Sequence, residues 1–181
     1  MALIDTARVR AELAKIRRTK NAATKGRQVE ALVAYVFGCI PGLSLDDTNV
    51  VNVYPSEEID LIFWNDQETE GVRFLGCPII VECKEWSDPL SGREMRYFAS
   101  LLKDRGRRNG ILVALNAITG SEADLTAGFY HSAAAQIKGV QVFAVTDAEL
   151  STLVHSADLV GLLKRKLLEL TKRQIQAFKN S

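Results

Sequence analysis

The sequence is short of the residues that mark several common classes of protein. Its 181 residues include only three cysteines, which have neither the close paired spacing of a zinc site nor a C-x-x-C redox motif. No apolar run approaches the roughly 18 residues that suggest a membrane span, and the N-terminus lacks a signal-peptide core. We therefore expect reduced, structural cysteines and a cytoplasmic protein without a membrane segment.

Several catalytic and nucleotide-binding patterns are also missing. The sequence has no Walker loop, no G-x-G-x-x-G and no Ser/His/Asp or Cys/His arrangement, and its two histidines, His131 and His155, stand alone on predicted helices. It contains no helix-turn-helix, zinc finger, internal repeat or linker. These absences argue against nucleotide-binding and acyl-transfer enzymes, and they favour a single domain over residues 1–181.

The charges are unevenly distributed, although the net charge is only +1. Residues 1–27 carry eight basic and two acidic side chains, and residues 164–181 carry six and one, whereas residues 28–102 carry thirteen acidic and four basic. Basic ends around an acidic middle suit an acidic metal site flanked by phosphate-contacting surfaces. Basic helix faces are as often simply solvated, so the charge pattern leaves both interpretations open.

The hydrophobic pattern predicts an α/β domain around a mixed sheet. We expect helices over residues 3–18, 26–38, 92–104 and 121–137, and a helical C-terminus from 147 to 178 that is interrupted near Ser156 and ends in a helix over about 157–178. We expect strands over residues 50–54, 59–64, 78–85, 111–115 and 140–145. The leucine stripe of the C-terminal helix is expected to pack on the domain as core, with a dimer interface as the alternative.

Two carboxylates and a lysine stand on strands predicted near the middle of the chain. Asp60 is embedded in the apolar run 59–64, and Glu82 and Lys84 follow the apolar run 78–81. Because successive side chains of a strand alternate, Glu82 and Lys84 share one face, and Asp60 on a neighbouring strand can lie beside Glu82. Cross-strand ion pairs on a wet face are the alternative. The apolar flanks favour a bound divalent ion, because buried charges are costly without a partner.

Three segments give the chain a family resemblance. These segments are GRQVE at 26–30 on a predicted helix, EIDLI at 58–62 on one predicted strand and VECK at 81–84 on the next. With them the chain resembles the PD-(D/E)xK nuclease superfamily, and most of all its Mrr-like restriction endonuclease catalytic domain. NGILVALN at 109–116, Thr119-Gly120, the alanines at 133–135 and the strand 139–145 extend the likeness, so that it covers about residues 24–155. The resemblance implies a restriction-endonuclease-like fold, with a central mixed β-sheet flanked by helices and an additional helix at each end of the chain.

Two positions depart from the pattern of that family. Ile59 precedes Asp60 where the name of the motif has proline, and Glu82 stands where many Mrr-like members have glutamine. The first is a common variation in the superfamily and leaves the carboxylate in place. The second makes the predicted metal-binding set more complete, so neither departure indicates an inactive relative.

The resemblance also implies roles for particular residues. Asp60 and Glu82 would hold Mg²⁺, or Mn²⁺ in its place, with help from the backbone carbonyl of Cys83. Lys84 would stand beside the attacking water, and Glu30 would orient a water or support a second ion. The implied activity is endonucleolytic hydrolysis of DNA phosphodiester bonds that leaves 5′-phosphate and 3′-hydroxyl ends.

Contacts with DNA and other partners are predicted less sharply. DNA contacts are expected at the start of the second helix and in a basic loop, at Lys25, Arg27, Gln28, Lys103, Arg105, Arg107 and Arg108. A homodimer is expected because cutting both strands calls for two sites, and a partner protein could supply specificity. The alternatives are a Holliday junction resolvase of the same fold and a catalytically silent DNA-binding or subunit-interaction module.

Overall fold

Helices and strands follow one another largely in the predicted order. The structure, a computed structural model, describes residues 2–51, 58–84, 92–115 and 139–179. Its elements are α1 (Thr6–Arg18), α2 (Ala22–Gly38), β1 (Leu43–Val51), β2 (Glu58–Asn65), a 3-10 turn (Arg73–Leu75), β3 (Ile79–Lys84), α3 (Gly92–Asp104), β4 (Asn109–Ala114), β5 (Gln141–Thr146), the short helix α4 (Asp147–Leu150) and α5 (Ser156–Lys179). The helix predicted over 121–137 lies outside the described residues.

In the described part of the chain, five strands form one mixed sheet in the order β1-β2-β3-β4-β5. β2 pairs antiparallel with β1 and β3, whereas β4 pairs parallel with β3 and β5. Leu61 is opposite Val81 across β2 and β3, and Lys84 is opposite Ala114 across β3 and β4. Because β3, β4 and β5 run in one direction, their carboxyl ends meet at the same edge of the sheet. The mixed α/β sheet predicted from the sequence is thereby confirmed.

Helices cover both faces of the sheet and form two apolar clusters. One cluster joins buried residues of α1, α2 and α5 to Leu61, Val81 and Val113 of the sheet. The other joins buried residues of α3 to Ile80 and Leu112. β4 therefore contributes to both clusters, as its uninterrupted apolar sequence predicts.

The first helix begins later than predicted. α1 starts at Thr6, because the Asp5 carboxylate accepts a hydrogen bond from the backbone N–H of Arg8 at 2.9 Å and so caps the helix. Leu3, which the periodicity assigned to the helix, forms an isolated bridge with His155 and is exposed.

The second helix begins earlier than predicted. α2 starts at Ala22, because the Asn21 side chain accepts a hydrogen bond from the backbone N–H of Thr24 at 2.8 Å. Asn21 is thus the N-cap, and the first helical turn follows it directly.

The first strand differs most from its prediction. β1 runs over Leu43–Val51, so it begins well before the predicted strand 50–54, and it has a register irregularity between Leu45 and Asp47. Residues 52–54 of the predicted strand lie outside the described residues. Its side chains are mostly exposed, and its pairing with β2 satisfies the backbone groups on one of its two edges. A polar strand at the edge of a sheet lacks the apolar alternation by which strands are recognised in a sequence.

The C-terminal helices pack on the sheet as core. Thr146 and Glu149 form a capping box at the start of α4, and α5 begins at Ser156, where the break was predicted. The buried members of the leucine stripe are Leu150, Leu153, Leu159, Leu163 and Leu170, with Leu162 and Leu167 packed against the same cluster. No helix in the described part of the chain is both long enough and apolar enough to cross a membrane.

Candidate active site

The carboxyl end of β3 carries charged side chains on the sheet face that α3 covers. Glu82 is opposite Leu112 in the parallel register, and both Leu112 and Ile80 belong to the α3 cluster. Cys83, between the two charged residues, packs against the cluster on the other face. The alternation predicted for Glu82 and Lys84 is therefore present.

Asp60 reaches the same place from β2. The antiparallel pairing of Leu61 with Val81, continued by one residue, sets Asp60 opposite Glu82. The Asp60 Oδ2 atom accepts a hydrogen bond from the backbone N–H of Cys83 at 2.6 Å. The sheet thus brings two carboxylates side by side, and one of them is fixed by the backbone of the strand that carries the other.

Glu82 and Lys84 form an ion pair inside the protein. The Lys84 ammonium donates a hydrogen bond to Glu82 Oε1, and Glu82 is only 6% exposed. Burial by itself would lower the pKa of Lys84, but the charge of Glu82 and its hydrogen bond outweigh burial, so the pKa is raised. Lys84 therefore carries a positive charge at neutral pH.

Asp60, which lies beside this ion pair, has a strongly raised pKa. Burial, followed by the negative charges of Glu82 and Glu30, raises the pKa of Asp60 to about 7, although the Cys83 N–H and the Lys84 ammonium act in the opposite direction. Burial and the same carboxylates also raise the pKa of the Cys83 thiol well above its ordinary value. Negative charge is thus crowded into a site that solvent screens poorly.

Glu30 approaches the site from α2. Its side chain is half-buried, and its Oε2 atom accepts a hydrogen bond from the Asn49 side-chain amide at 3.2 Å. Sequence patterns did not single out Asn49, because it lies in the polar strand β1 that the periodicity concealed. Its φ of 53° is a conformation that asparagine adopts more readily than most residues.

The donors at this site fit a hard divalent cation. Asp60 and Glu82 offer carboxylate oxygens, whereas the raised pKa of Cys83 keeps its thiol protonated and leaves its backbone carbonyl as the available donor. Among the described residues, no three Asp, Glu, His or Cys side chains converge as a complete metal cage. A cation would also offset the repulsion that raises the pKa of Asp60.

The residues predicted to contact DNA at the start of α2 lie within two turns of Glu30. Arg27 is exposed, Lys25 is half-buried, and Gln28 accepts a hydrogen bond from the Thr19 hydroxyl at 2.8 Å. Arg27 and Gln28 line a cavity of about 380 Å³ between α1 and α2. Gln28 therefore helps to join the two helices, while the Arg27 side chain is accessible.

The basic loop, comprising Lys103, Arg105, Arg107 and Arg108, lies at the other end of the sheet. It precedes β4, which is parallel to β3, whereas Glu82 and Lys84 end β3. Glu82 is level with Leu112, four residues after Arg108, which corresponds to about 13 Å along the strand. Arg107 is anchored there, since its Nη1 donates to the Cys77 carbonyl at 3.0 Å. This loop and the carboxylates therefore do not contact the same phosphate.

Comparison with known proteins gives one finding that agrees with this geometry. None of the curated proteins compared with the chain matches it. The family model for the Mrr catalytic domain, described as restriction endonuclease, matches residues 22–154, which include α2, the whole sheet and the four residues Glu30, Asp60, Glu82 and Lys84. With its restriction-endonuclease-like sheet and a match over most of its length, the chain belongs to the Mrr-type restriction endonuclease family.

Proposed function

We propose that this protein is a Mg²⁺-dependent endonuclease that hydrolyses phosphodiester bonds in DNA. The observation that carries the proposal is the adjacency of Asp60 and Glu82 to each other and to Lys84 at the carboxyl end of β3. Membership of a nuclease family whose members generally use divalent metal ions supports it. A catalytically silent binding module would not need all three side chains.

Asp60, Glu82 and the backbone carbonyl of Cys83 are the groups that would hold the metal ion. When bound, Mg²⁺ or Mn²⁺ supplies Lewis-acid polarisation of the phosphodiester and lowers the pKa of a water. Asp60 is oriented for this role by the Cys83 N–H. Glu82 is oriented by the ammonium of Lys84.

Lys84 and Glu30 are assigned separate roles in the reaction. The raised pKa of Lys84 keeps its ammonium charged, so Lys84 stabilises negative charge that develops on the phosphate oxygens and does not act as a general base. Glu30, positioned by the Asn49 amide, accepts a hydrogen bond from a water and orients it.

Plasmid cleavage tests the proposal. Wild-type protein should nick supercoiled DNA with Mg²⁺ or Mn²⁺ and not with EDTA, and it should leave 5′-phosphate and 3′-hydroxyl ends. Lys84→Ala should lose about 100-fold or more in rate, since it removes a charge that stabilises the transition state. Lys164→Ala is the matched control, because Lys164 is exposed on α5 across the sheet from the site.

Two outcomes would contradict the assignment. One is equal nicking by Lys84→Ala and wild type, and the other is no cleavage with any divalent metal. A four-way junction offered beside linear duplex in the same assay decides the resolvase alternative, because a resolvase would prefer the junction. Calorimetric titration with Mn²⁺ separates binding from catalysis, since Glu82→Gln should weaken metal binding while the Lys164→Ala control should not.

A further inference from the structure

We propose that the outer face of α3 and the basic loop after it form a path for the backbone of bound DNA, leading from the carboxylates to the opposite end of the sheet. The inference rests on the proposed function, because it concerns how the substrate of that site is held. We call this surface the α3 path, and its residues are Arg93, Arg96, Tyr97, Ser100, Lys103, Arg108 and Arg73.

The outer face of α3 presents one stripe of phosphate-binding side chains. Every member of the α3 path on this helix is exposed, and their spacing of three, four, seven and ten residues from Arg93 keeps them on one side. The helix buries its other side, which includes Met95, Phe98 and Leu102. Arginine, lysine, tyrosine and serine side chains are all donors to phosphate oxygens in protein–DNA complexes.

The stripe has few opposing charges. Among the described side chains of α3, Asp104 at the last position is the one exposed carboxylate. Arg93, Arg96 and Lys103 outnumber it, and Tyr97, 53% exposed, lies between them with a hydroxyl to donate. A solvated helix face of mixed charge would alternate signs instead.

The stripe continues into two adjoining cavities at the end of α3. One, of about 440 Å³, is lined by Arg73, Arg107 and Arg108, and the other, of about 450 Å³, is lined by Lys103, Arg107 and Arg108. Neither has an acidic side chain in its lining. The carbonyls of Cys77 and Arg105 accept hydrogen bonds from Arg107, so this guanidinium is held in place before any ligand arrives.

The dimensions of α3 suit a duplex. Its thirteen residues extend about 20 Å, which is the length of about six base pairs at 3.4 Å each. At the start of α3, Met95 shares an apolar cluster with Ala114, which is opposite Lys84 in the sheet. Further along α3, Phe98 and Leu102 closely surround Gly110 at the start of β4. The helix therefore leads from the catalytic end of the sheet to the arginine cavities.

Fluorescence anisotropy with a labelled duplex in EDTA tests the α3 path without cleavage. We expect Arg93→Gln/Arg96→Gln and Arg73→Gln/Arg108→Gln each to weaken binding by about tenfold and to reduce the slope of log K against log salt by about two, since each removes two phosphate contacts. Tyr97→Phe should weaken binding less. Arg165→Gln/Lys172→Gln, an exposed pair on α5, is the control and should retain the wild-type slope.

The outcomes separate this inference from the proposed function. The path would be overturned if both α3 path variants kept the wild-type slope of log K against log salt. It would also be overturned if the wild type did not bind DNA in EDTA, even if the enzyme nicks plasmid. Lower slopes in these variants alone would support it even if no cleavage were detected. Arg93→Lys/Arg96→Lys preserves the charge and should retain the slope. A reduced slope in that variant too would contradict the phosphate-contact explanation.

Discussion

At the scale of single residues, the chemistry of Asp60 depends on its neighbours. The pKa of about 7 means that the folded protein holds this proton more tightly than the unfolded chain, in which the pKa is near 3.8. Between these two values the folded state binds more protons, so the free energy of unfolding falls as the pH rises. The geometry that suits the site for a cation therefore destabilises the metal-free protein at neutral pH.

Asp60→Asn tests this linkage. We expect the substitution to raise the melting temperature in EDTA at pH 8, because it removes a buried charge, and we expect the gain to shrink toward zero as the pH is lowered to about 4. Differential scanning calorimetry at several pH values measures it. Asp46→Asn, at an exposed position of β1, is the control and should show no such pH dependence. A lower melting temperature for Asp60→Asn at pH 8 would contradict the explanation.

The elements differ in how far the sequence predicted them. The bounds of α3, Gly92–Asp104, agree with the predicted 92–104, because its apolar residues recur at helical spacing along their whole length. β1 escaped prediction over most of its length, since a polar edge strand is specified by its pairing with β2 rather than by its own pattern. The starts of α1 and α2 depended on single capping side chains, which the apolar periodicity does not reveal.

The candidate site was predictable in part for the same reason. The alternation of side chains along a strand was enough to predict that Glu82 and Lys84 share one face of β3. The expectation that the strand of Asp60 pairs with β3 was enough to predict that Asp60 lies near them. The contact of Glu30 with Asn49, in contrast, joins α2 to β1 and leaves no local signal. The position of the basic loop depends on the parallel direction of β4, which is a property of the topology.

At the scale of elements, α5 offers a matched pair of leucines. Leu163 is fully buried in the core, whereas Leu168, on the same helix, is 58% exposed. Leu163→Ala should lower the free energy of unfolding by about 2 to 5 kcal/mol through lost contacts and a cavity, and Leu168→Ala should change it by less than about 0.5 kcal/mol. Urea denaturation measures both. Equal large losses would mean that the exposed side of α5 is buried against a second chain.

At the scale of the whole molecule, we predict a homodimer, because cleavage of both strands of a duplex calls for two sites related by two-fold symmetry. Sedimentation velocity should show a protein mass of twice the 20.0 kDa of one chain, either for the free protein or for the protein bound to DNA. A monomer in both conditions, together with products that are only nicked, would contradict it. A cytoplasmic location and a partner that supplies specificity stay predictions.

The parallel pairing of β3 with β4 has an electrical consequence. Among the described residues, it sets the carboxylates of Asp60 and Glu82 at one end of the sheet and the guanidinium groups of Arg73, Arg107 and Arg108 at the other. A phosphate is attracted to the arginines, whereas the carboxylates repel it until a cation reverses the local charge. We therefore expect docking on DNA and admission of a phosphate to the site to be separate events, of which only the second depends on the supply of divalent metal.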